Sequence, residues 1–467
     1  MAEWEPVIGL EIHVQLKTQT KMFCSCANGF GGEPNMQTCP VCLAYPGALP
    51  VPNEQAVEWT IKLGLALGCE IPERAIFHRK NYFYPDNPKG YQISQYDIPL
   101  SSEGKFLVPG PEGDAEVGIV RAHLEEDAAK TIHVGGATGR IVGSAHSNVD
   151  FNRGGTPLVE IVTKPDLHSA EDAKRFLQLL RQTIVELGIS DAEMEKGTLR
   201  ADANVSVREV GETGLRTRTE LKNMNSFNHI ARGIEAEIRR QISVWESGGE
   251  VVQQTLDYEV KSDTVTARRQ KEEADDYRYF PEPDLVPLEP ADDLIERLRA
   301  ELPELPGTRI RALAADVGFD HAVDLVSTGN EHKARLLVEH GLDWPTAANV
   351  AMNQLASIDP LPENGPALVE IIKQRDSIPR DALTASFADS AAGPLDASAV
   401  LAQTVVADTS ELEPLVDRIL ADNPGQVASF KGGKQGLLGF FVGQVMKETQ
   451  GKADPKVVNE LLREKLG

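Results

Sequence analysis

From Leu10 to Leu16 the chain reads Leu-Glu-Ile-His-Val-Gln-Leu, apolar and polar side chains taking strict turns after an apolar lead of Val7 and Ile8. A period of two predicts a strand over 7–16. Leu10, Ile12 and Val14 then share one face, and Glu11, His13 and Gln15 the other. Residues 204–208, Asn-Val-Ser-Val-Arg, carry the same alternation. Helical spacing is confined to three stretches in this half of the chain, 54–67, 169–187 and 228–247, and elsewhere Gly, Pro and Asn interrupt short apolar runs. The pattern predicts an α+β protein with a large N-terminal mixed α/β domain built on an antiparallel sheet.

Pro281, Pro283, Pro287 and Pro290 then punctuate the chain, and strand alternation largely ends. Beyond them it reads as short helices over 292–302, 306–314 and 321–327, parted by Gly and Pro. A last change of texture falls near Ala402, with an amphipathic stretch at 410–421, a stop at Asn423-Pro424 and a closing helix over 455–465. The expected domains are 1–293, an all-α segment 294–401 and a small α-helical tail 402–467. A length of 467 residues suits about three domains.

Charge narrows the range of partners. Lys plus Arg number 47 against 71 Asp plus Glu, a net charge of -24. Such a chain repels polyphosphate overall, so nucleic-acid contact must be local. The tail reverses the sign: from Val427 to Gly467, Lys431, Lys434, Lys447, Lys452, Lys456, Arg463 and Lys465 face four acids. A solvated helical surface of mixed charge is the plainer reading of that stretch. No apolar run approaches the roughly 20 residues that span a bilayer, which argues against a membrane location.

Cys24, Cys26, Cys39 and Cys42 form two close pairs, and Cys69 stands apart. Four thiolates on short spacers suit a tetrahedral zinc ion held for structure, since four protein ligands leave no open position. Disulfides fit poorly, because no apolar signal segment follows Met1 and the chain reads as cytosolic. A redox pair or simple packing are the other uses of such thiols.

The second dense cluster is Arg121-Ala122-His123-Leu124-Glu125-Glu126-Asp127. Carboxylates this close repel one another unless a cation shields them, and magnesium shared with substrate phosphates would do so. Glu11 and His13 could add ligands. An exposed acidic turn is the alternative. Around the cluster stand Arg153-Gly154-Gly155 and Glu160 in 150–161, Arg200-Ala201-Asp202 and Lys222-Asn223 at expected strand edges, and aromatic residues beside cations at 80–86 and 276–282. Together these describe a polar cleft able to hold a nucleotide and a metal, without a GxxxxGK[ST] phosphate loop.

These motifs carry a resemblance. Gly9 to Leu16, the Phe23-Cys24-Ser25-Cys26 and Cys39-Pro40-Val41-Cys42 pairs, Pro46 to Pro50, Arg79 to Asp86, His123 to Asp127, the 150–160 loop, Lys222-Asn223, Tyr277 to Asp284 and Gly439 to Lys447 resemble the B subunits of the glutamine-dependent aspartyl/glutamyl-tRNA amidotransferase family, nearly end to end. The resemblance implies a cradle domain that binds ATP and Mg2+ and phosphorylates the side-chain carboxylate of mischarged Glu-tRNA(Gln) or Asp-tRNA(Asn). Ammonia from an amidase A subunit then displaces the phosphate, a small C subunit completes a heterotrimer, and the helical and tail domains grip tRNA. It implies Glu11, His13 and Glu125 as metal or phosphate-site groups, with Glu126 and Asp127 behind them. Lys80 and Lys89 would neutralise phosphate or line the ammonia route, Arg153, Arg200 and Lys222 would assist nucleotide binding, and Cys24, Cys26, Cys39 and Cys42 would hold structural Zn2+. A cytoplasmic location goes with this family. The competing expectation is a non-catalytic, zinc-braced tRNA-binding scaffold.

Overall fold

A computed structural model describes residues 3–135, 141, 143–269, 274–403, 409–449 and 453–467. They fall into two compact units, Met1–Ala312 and Leu313–Gly467. Lys452 of the basic tail lies outside the described residues.

The first unit carries strands β1 (Trp4–Gln15), β2 (His78–Asn81), β3 (Tyr91–Ser94), β4 (Ser101–Val108), β5 (Ala115–Glu126), β6 (Lys130–Val134), β7 (His146–Asp150), β8 (Pro157–Thr163), β9 (Leu199–Glu209), β10 (Thr219–Lys222), β11 (Thr255–Glu259), β12 (Thr264–Arg269) and β13 (Phe280–Pro281). Its helices are α1 (Glu54–Ala66), α2 (Ala170–Glu186), α3 (Phe227–Glu246) and α4 (Asp292–Ala300). Eight strands form one sheet in the order β12-β11-β10-β9-β1-β8-β5-β4, antiparallel except for the β10–β11 pair. A three-stranded sheet, β13-β2-β3, and the β6–β7 hairpin complete it. The expected mixed α/β domain on an antiparallel sheet, followed by helices, is the observed class.

Alternation along β1 sorts its side chains as predicted. Leu10, Ile12 and Val14 are buried, beside Val159 and Ile161 of β8, Ala122 and Leu124 of β5, and Ala201 and Ala203 of β9. Helices α1, α2 and α3 pack on the sheet, with Phe176, Leu177 and Leu180 of α2 and Ile230 and Ile234 of α3 fully buried. Each helix begins where a side-chain oxygen takes an orphan amide: Asn53 accepts from Ala56 N, Ser169 from Asp172 N and Ser226 from His229 N. The expected helical stretches thus start within a residue or two of a cap.

Two expectations shift. The 200–202 segment is not a strand edge: β9 starts at Leu199 and runs through it. The 125–127 acids are not an exposed turn either, since Glu125 and Glu126 end β5 and all three residues are at most 6% exposed.

Helix α5 (Pro306–Val317) leads into the second unit, built from α6 (Phe319–Ser327), α7 (Glu331–Glu339), α8 (Trp344–Asn353), α9 (Gly365–Lys373), α10 (Arg380–Ala392), α11 (Ala397–Leu401), α12 (Thr409–Asp422), α13 (Pro424–Lys431), α14 (Leu438–Glu448) and α15 (Pro455–Leu466). Pro424 does more than stop a helix, because it opens α13, where its missing N–H costs nothing. Helices α12 to α15 enclose a core of their own around Leu412, Val416, Phe441, Val445, Val458 and Leu462. No helix of the described residues is long and apolar enough to cross a membrane.

Helix α1 meets β4 at Gly64, where a Cβ would sit 2.6 Å from Ser101 Cβ. Gly64→Ala should therefore destabilise the chain by about 1–3 kcal/mol through overpacking. Adding Ser101→Gly should recover part of that loss in urea unfolding; equal stability of Gly64→Ala and native chain would show that the helix can lift at no cost.

Candidate active site

Pairing across the sheet sets one line of residues. Arg200 of β9 is the register partner of His13, His13 of Glu160, and Glu160 of His123. Directly opposed residues project to the same face with Cβ atoms roughly 5 Å apart. Four ionisable groups from four strands therefore stand in a row on the face opposite the helices. Glu11 and Gln15 flank His13 two positions away on the same side, as Arg121 and Glu125 flank His123.

The groups converge. His13 Nε2 lies 3.5 Å from Glu160 Oε2, 3.8 Å from Glu125 Oε1 and 4.0 Å from Glu11 Oε1. Glu160 also meets Arg121 at 3.6 Å and His123 at 3.8 Å. Ser94 of β3 donates to Glu125 at 3.2 Å, tying the small sheet to the large one. From that small sheet comes Lys80, whose ammonium lies 4.8 Å above the Tyr277 ring. The two aromatic-cationic segments do meet: Phe280 pairs with Arg79 in the ladder, Arg79 grips Glu282 through two hydrogen bonds of 2.7 Å, and Asn81 donates to the carbonyls of Tyr277 and Arg278.

The three consecutive acids part company. Asp127 stays with the row and accepts from Gln15 at 2.6 Å and Arg200 at 2.9 Å. Arg153 reaches Asp127 at 3.8 Å but directs its hydrogen bonds to the carbonyls of Ala128 and Ala129. Glu126 takes Lys89 at 2.6 Å and the amide of Ile93 at 2.9 Å. Lys89 and Glu126 wall a cavity of about 270 Å³, shared with Lys21, Cys24, Cys42 and Tyr45. Lys222 is held by Asp202 at 2.5 Å and Glu220 at 3.3 Å.

Burial and neighbours set the charges. Burial opposes a proton on His13, yet its contact with Glu160 and the carboxylates of Glu125 and Glu11 raise it to about 9. Burial, helped by Glu160, pushes Glu125 up to about 7 while Lys80 and His13 restrain it. Glu11 is likewise raised by burial and by Glu160. Burial also works against ionising Glu160, but His123, His13 and Lys80 hold it well below the carboxylate range. His123 is itself driven by burial down to about 4, so at neutral pH the cations facing Glu160 are His13 and Lys80. Burial opposes the charge on Lys80, which is still held above its ordinary range by Glu125 and, more weakly, Glu160. Asp127, despite burial, is lowered by Arg200 and Arg153.

A cation fits among these groups. Ligand atoms about 2.1 Å from an octahedral ion stand about 3.0 Å apart when adjacent and about 4.2 Å when opposite, which brackets the separations around His13 Nε2. The cysteines form a second candidate, because the sulfurs of Cys24, Cys26, Cys39 and Cys42 all lie within 4.8 Å of one another. Cys39 and Cys42 are 3.9 Å apart, against about 3.8 Å along the edge of a tetrahedron with 2.3 Å bonds. Lys21, 1% exposed, places its ammonium 3.8 Å from Cys42 Sγ and 3.1 Å from the Phe151 carbonyl, a buried cation suited to a negatively charged thiolate set.

Glu11, His13, Glu125, Asp127, Lys80 and Arg200 thus gather on one sheet face, and Glu126 with Lys89 stands apart from them. Glu160, His123 and Arg121 are the site residues that sequence reasoning did not single out as ligands. Only Glu160 left a trace, as an acid in an expected strand whose register was unknown.

An α+β unit that lines up this many ionisable groups on a sheet face, none of them needed for packing, is a catalytic or ligand-binding domain followed by helices. Comparison with known proteins narrows it. A family described as the GatB/GatE catalytic domain matches residues 6–296, and the GatB domain matches residues 366–466. The B subunit of the aspartyl/glutamyl-tRNA(Asn/Gln) amidotransferase of Syntrophotalea carbinolica is 45% identical over 485 residues, spanning 100% of this chain and 99% of the relative. Its counterpart in Geobacter sulfurreducens is 45% identical over 481 residues, 99% of each chain, and that of Anaeromyxobacter dehalogenans 44% over 502 residues, 100% of this chain and 99% of its own. The chain belongs to this family of amidotransferase B subunits.

The raised His13 has a consequence for stability. With divalent ions chelated, its contribution is fully present below about pH 6.5 and is lost as pH rises through about 9. Relative to His13→Gln, the native chain should lose on the order of 3 kcal/mol between about pH 6 and about pH 10 in urea unfolding. A gap that does not change with pH would mean the imidazole is uncharged.

Proposed function

We propose that the chain is the tRNA-dependent kinase component of a glutamine-dependent amidotransferase. It transfers the terminal phosphoryl group of ATP to the side-chain carboxylate of Glu-tRNA(Gln) or Asp-tRNA(Asn), releasing ADP. Ammonia delivered by a glutaminase partner then displaces phosphate and leaves Gln-tRNA(Gln) or Asn-tRNA(Asn). A carboxylate resists attack by ammonia because it is negative and has no leaving group, and acyl phosphate formation removes both obstacles. The observation that carries this reading is the convergence of Glu11, Glu125 and Glu160 on His13 beside Lys80.

Glu11, His13 and Glu160 would hold magnesium, with Glu125 against them. Bound there, the ion would neutralise and bridge phosphate oxygens. Lys80, kept charged by its carboxylate neighbours, can meet the transferred phosphoryl group. Arg200 keeps its Nε without a partner among the described residues, a donor free for a further oxygen. Glu125, poised near 7, can take a proton from arriving ammonium. Lys89 and Glu126 on the cavity wall are suited to the ammonia route. Arg153 and Lys222 are already engaged and act by shaping the cleft. A scaffold has no use for a half-titrated carboxylate beside an imidazole and a lysine.

The names of the relatives support partners as well: an amidase A subunit, a small C subunit and mischarged tRNA, in the cytoplasm. The division we propose is a cradle over 1–293, a helical domain over 294–401 and a tRNA-gripping tail over 402–467, the last favoured by the separate core of α12 to α15. Zinc on Cys24, Cys26, Cys39 and Cys42 would brace the cradle without entering the reaction.

In the reconstituted heterotrimer, Glu125→Gln and Glu160→Gln should each lower ATP turnover that depends on mischarged tRNA by at least about a hundredfold. Affinity for tRNA should stay within about threefold. Phosphoryl transfer surviving while tRNA binding is lost would place the kinase site elsewhere. Cys42→Ser should remove zinc measured by elemental analysis and lower the unfolding temperature, and a variant that keeps its zinc would refute the four-thiolate site.

A further inference from the structure

Two histidines share this site, and each stands with two carboxylates whose ligand atoms lie within 4.8 Å of one another and of its own: His13 with Glu11 and Glu160, His123 with Glu125 and Glu160. Distance alone lets either hold a divalent cation. Hydrogen bonding separates them. Arg121 Nε lies 3.2 Å from His123 Nδ1 and donates to it. A guanidinium offers only donors and does not lose its proton in a protein. Nδ1 must therefore present its lone pair, and the ring proton sits on Nε2, facing Glu160 Oε2 at 3.8 Å. A cation on Nε2 would need that lone pair, would move the proton to Nδ1, and would set two N–H groups against each other at 3.2 Å.

We infer that Arg121 locks His123 as the Nε2–H tautomer, which makes His123 a donor that positions Glu160 and leaves the cation to His13. Arg121 also reaches the other oxygen of Glu160, at 3.6 Å. Both oxygens of that carboxylate are then held from the β5 side, so Oε2 keeps its place 3.5 Å from His13 Nε2. Arg121 and His123 are positioning residues for this carboxylate. The inference rests on the reading above that this sheet face binds a divalent cation.

The test uses the assembled heterotrimer with Mn2+ in place of Mg2+, read by pulsed electron paramagnetic resonance, which detects the nitrogen of a directly bound imidazole. The native complex should show that nitrogen signal, His13→Gln should lose it, and His123→Gln should keep it with Mn2+ affinity within about threefold. Turnover should fall about tenfold or more in His123→Leu, which has no donor, and less in His123→Gln, whose amide N–H stands in for Nε2–H. Loss of the signal in His123→Gln with retention in His13→Gln would overturn the tautomer lock and leave the cation reading intact. A native complex with no nitrogen signal would overturn both.

Discussion

Strand register is the constraint on which the rest of this protein depends. Arg200, His13, Glu160 and His123 are far apart in the chain and become neighbours only because β9, β1, β8 and β5 pair as they do. A slip of one residue in any of these pairings would turn that strand's ionisable side chains into the helix-packed layer and its apolar ones outward. The same pattern that buries Leu10, Ile12 and Val14 therefore also aims Glu11, His13 and Gln15. Core and site are two faces of one alternation, and the hydrophobic effect on one side enforces the geometry on the other.

That arrangement explains how an acidic chain tolerates so many buried carboxylates. Asp127 is answered by Arg200, Glu126 by Lys89, Asp202 by Lys222, and Glu160 by His13 and Arg121. Glu11 and Glu125 have less compensation, and they are the two whose protonation rises. The imbalance sits where a divalent cation fits, which is how a binding site differs from a set of structural ion pairs.

Sequence reading captures the parts of this that are local. The alternation of β1 is plain enough to place Glu11 and His13 on one face, and the three helices of the sheet domain announce themselves by spacing and capping side chains. Pairing is not local, so Glu160 can be seen as an acid in a strand but not as the partner of His13. Arg121 and His123 are visible beside the acids, yet their roles depend on a 3.2 Å contact that no spacing encodes. The run Glu125-Glu126-Asp127 looks like one cluster in need of a shield. Period two resolves most of its repulsion, since Glu126 goes to Lys89 and Ile93 while its neighbours stay with the row. Residues 200–202 read as a strand edge because Arg and Asp seldom fill the middle of one, and here they do so because that face is the site.

The position of β1 in the sheet has a consequence for how the chain is made. It is the first strand synthesised, but its two neighbours are β8 and β9, so nothing emerging before residue 157 can pair with it. At about 5–20 residues per second a ribosome needs roughly 7–30 seconds to supply the first of those partners. Through that interval Val7, Ile8, Leu10, Ile12 and Val14 form an apolar edge with open hydrogen-bonding groups on both sides. Newborn chains are thus most vulnerable to wrong partners before the sheet can close, and the alternating charges of Glu11 and His13 that later face substrate are also what keeps this strand from being apolar on both sides while it waits.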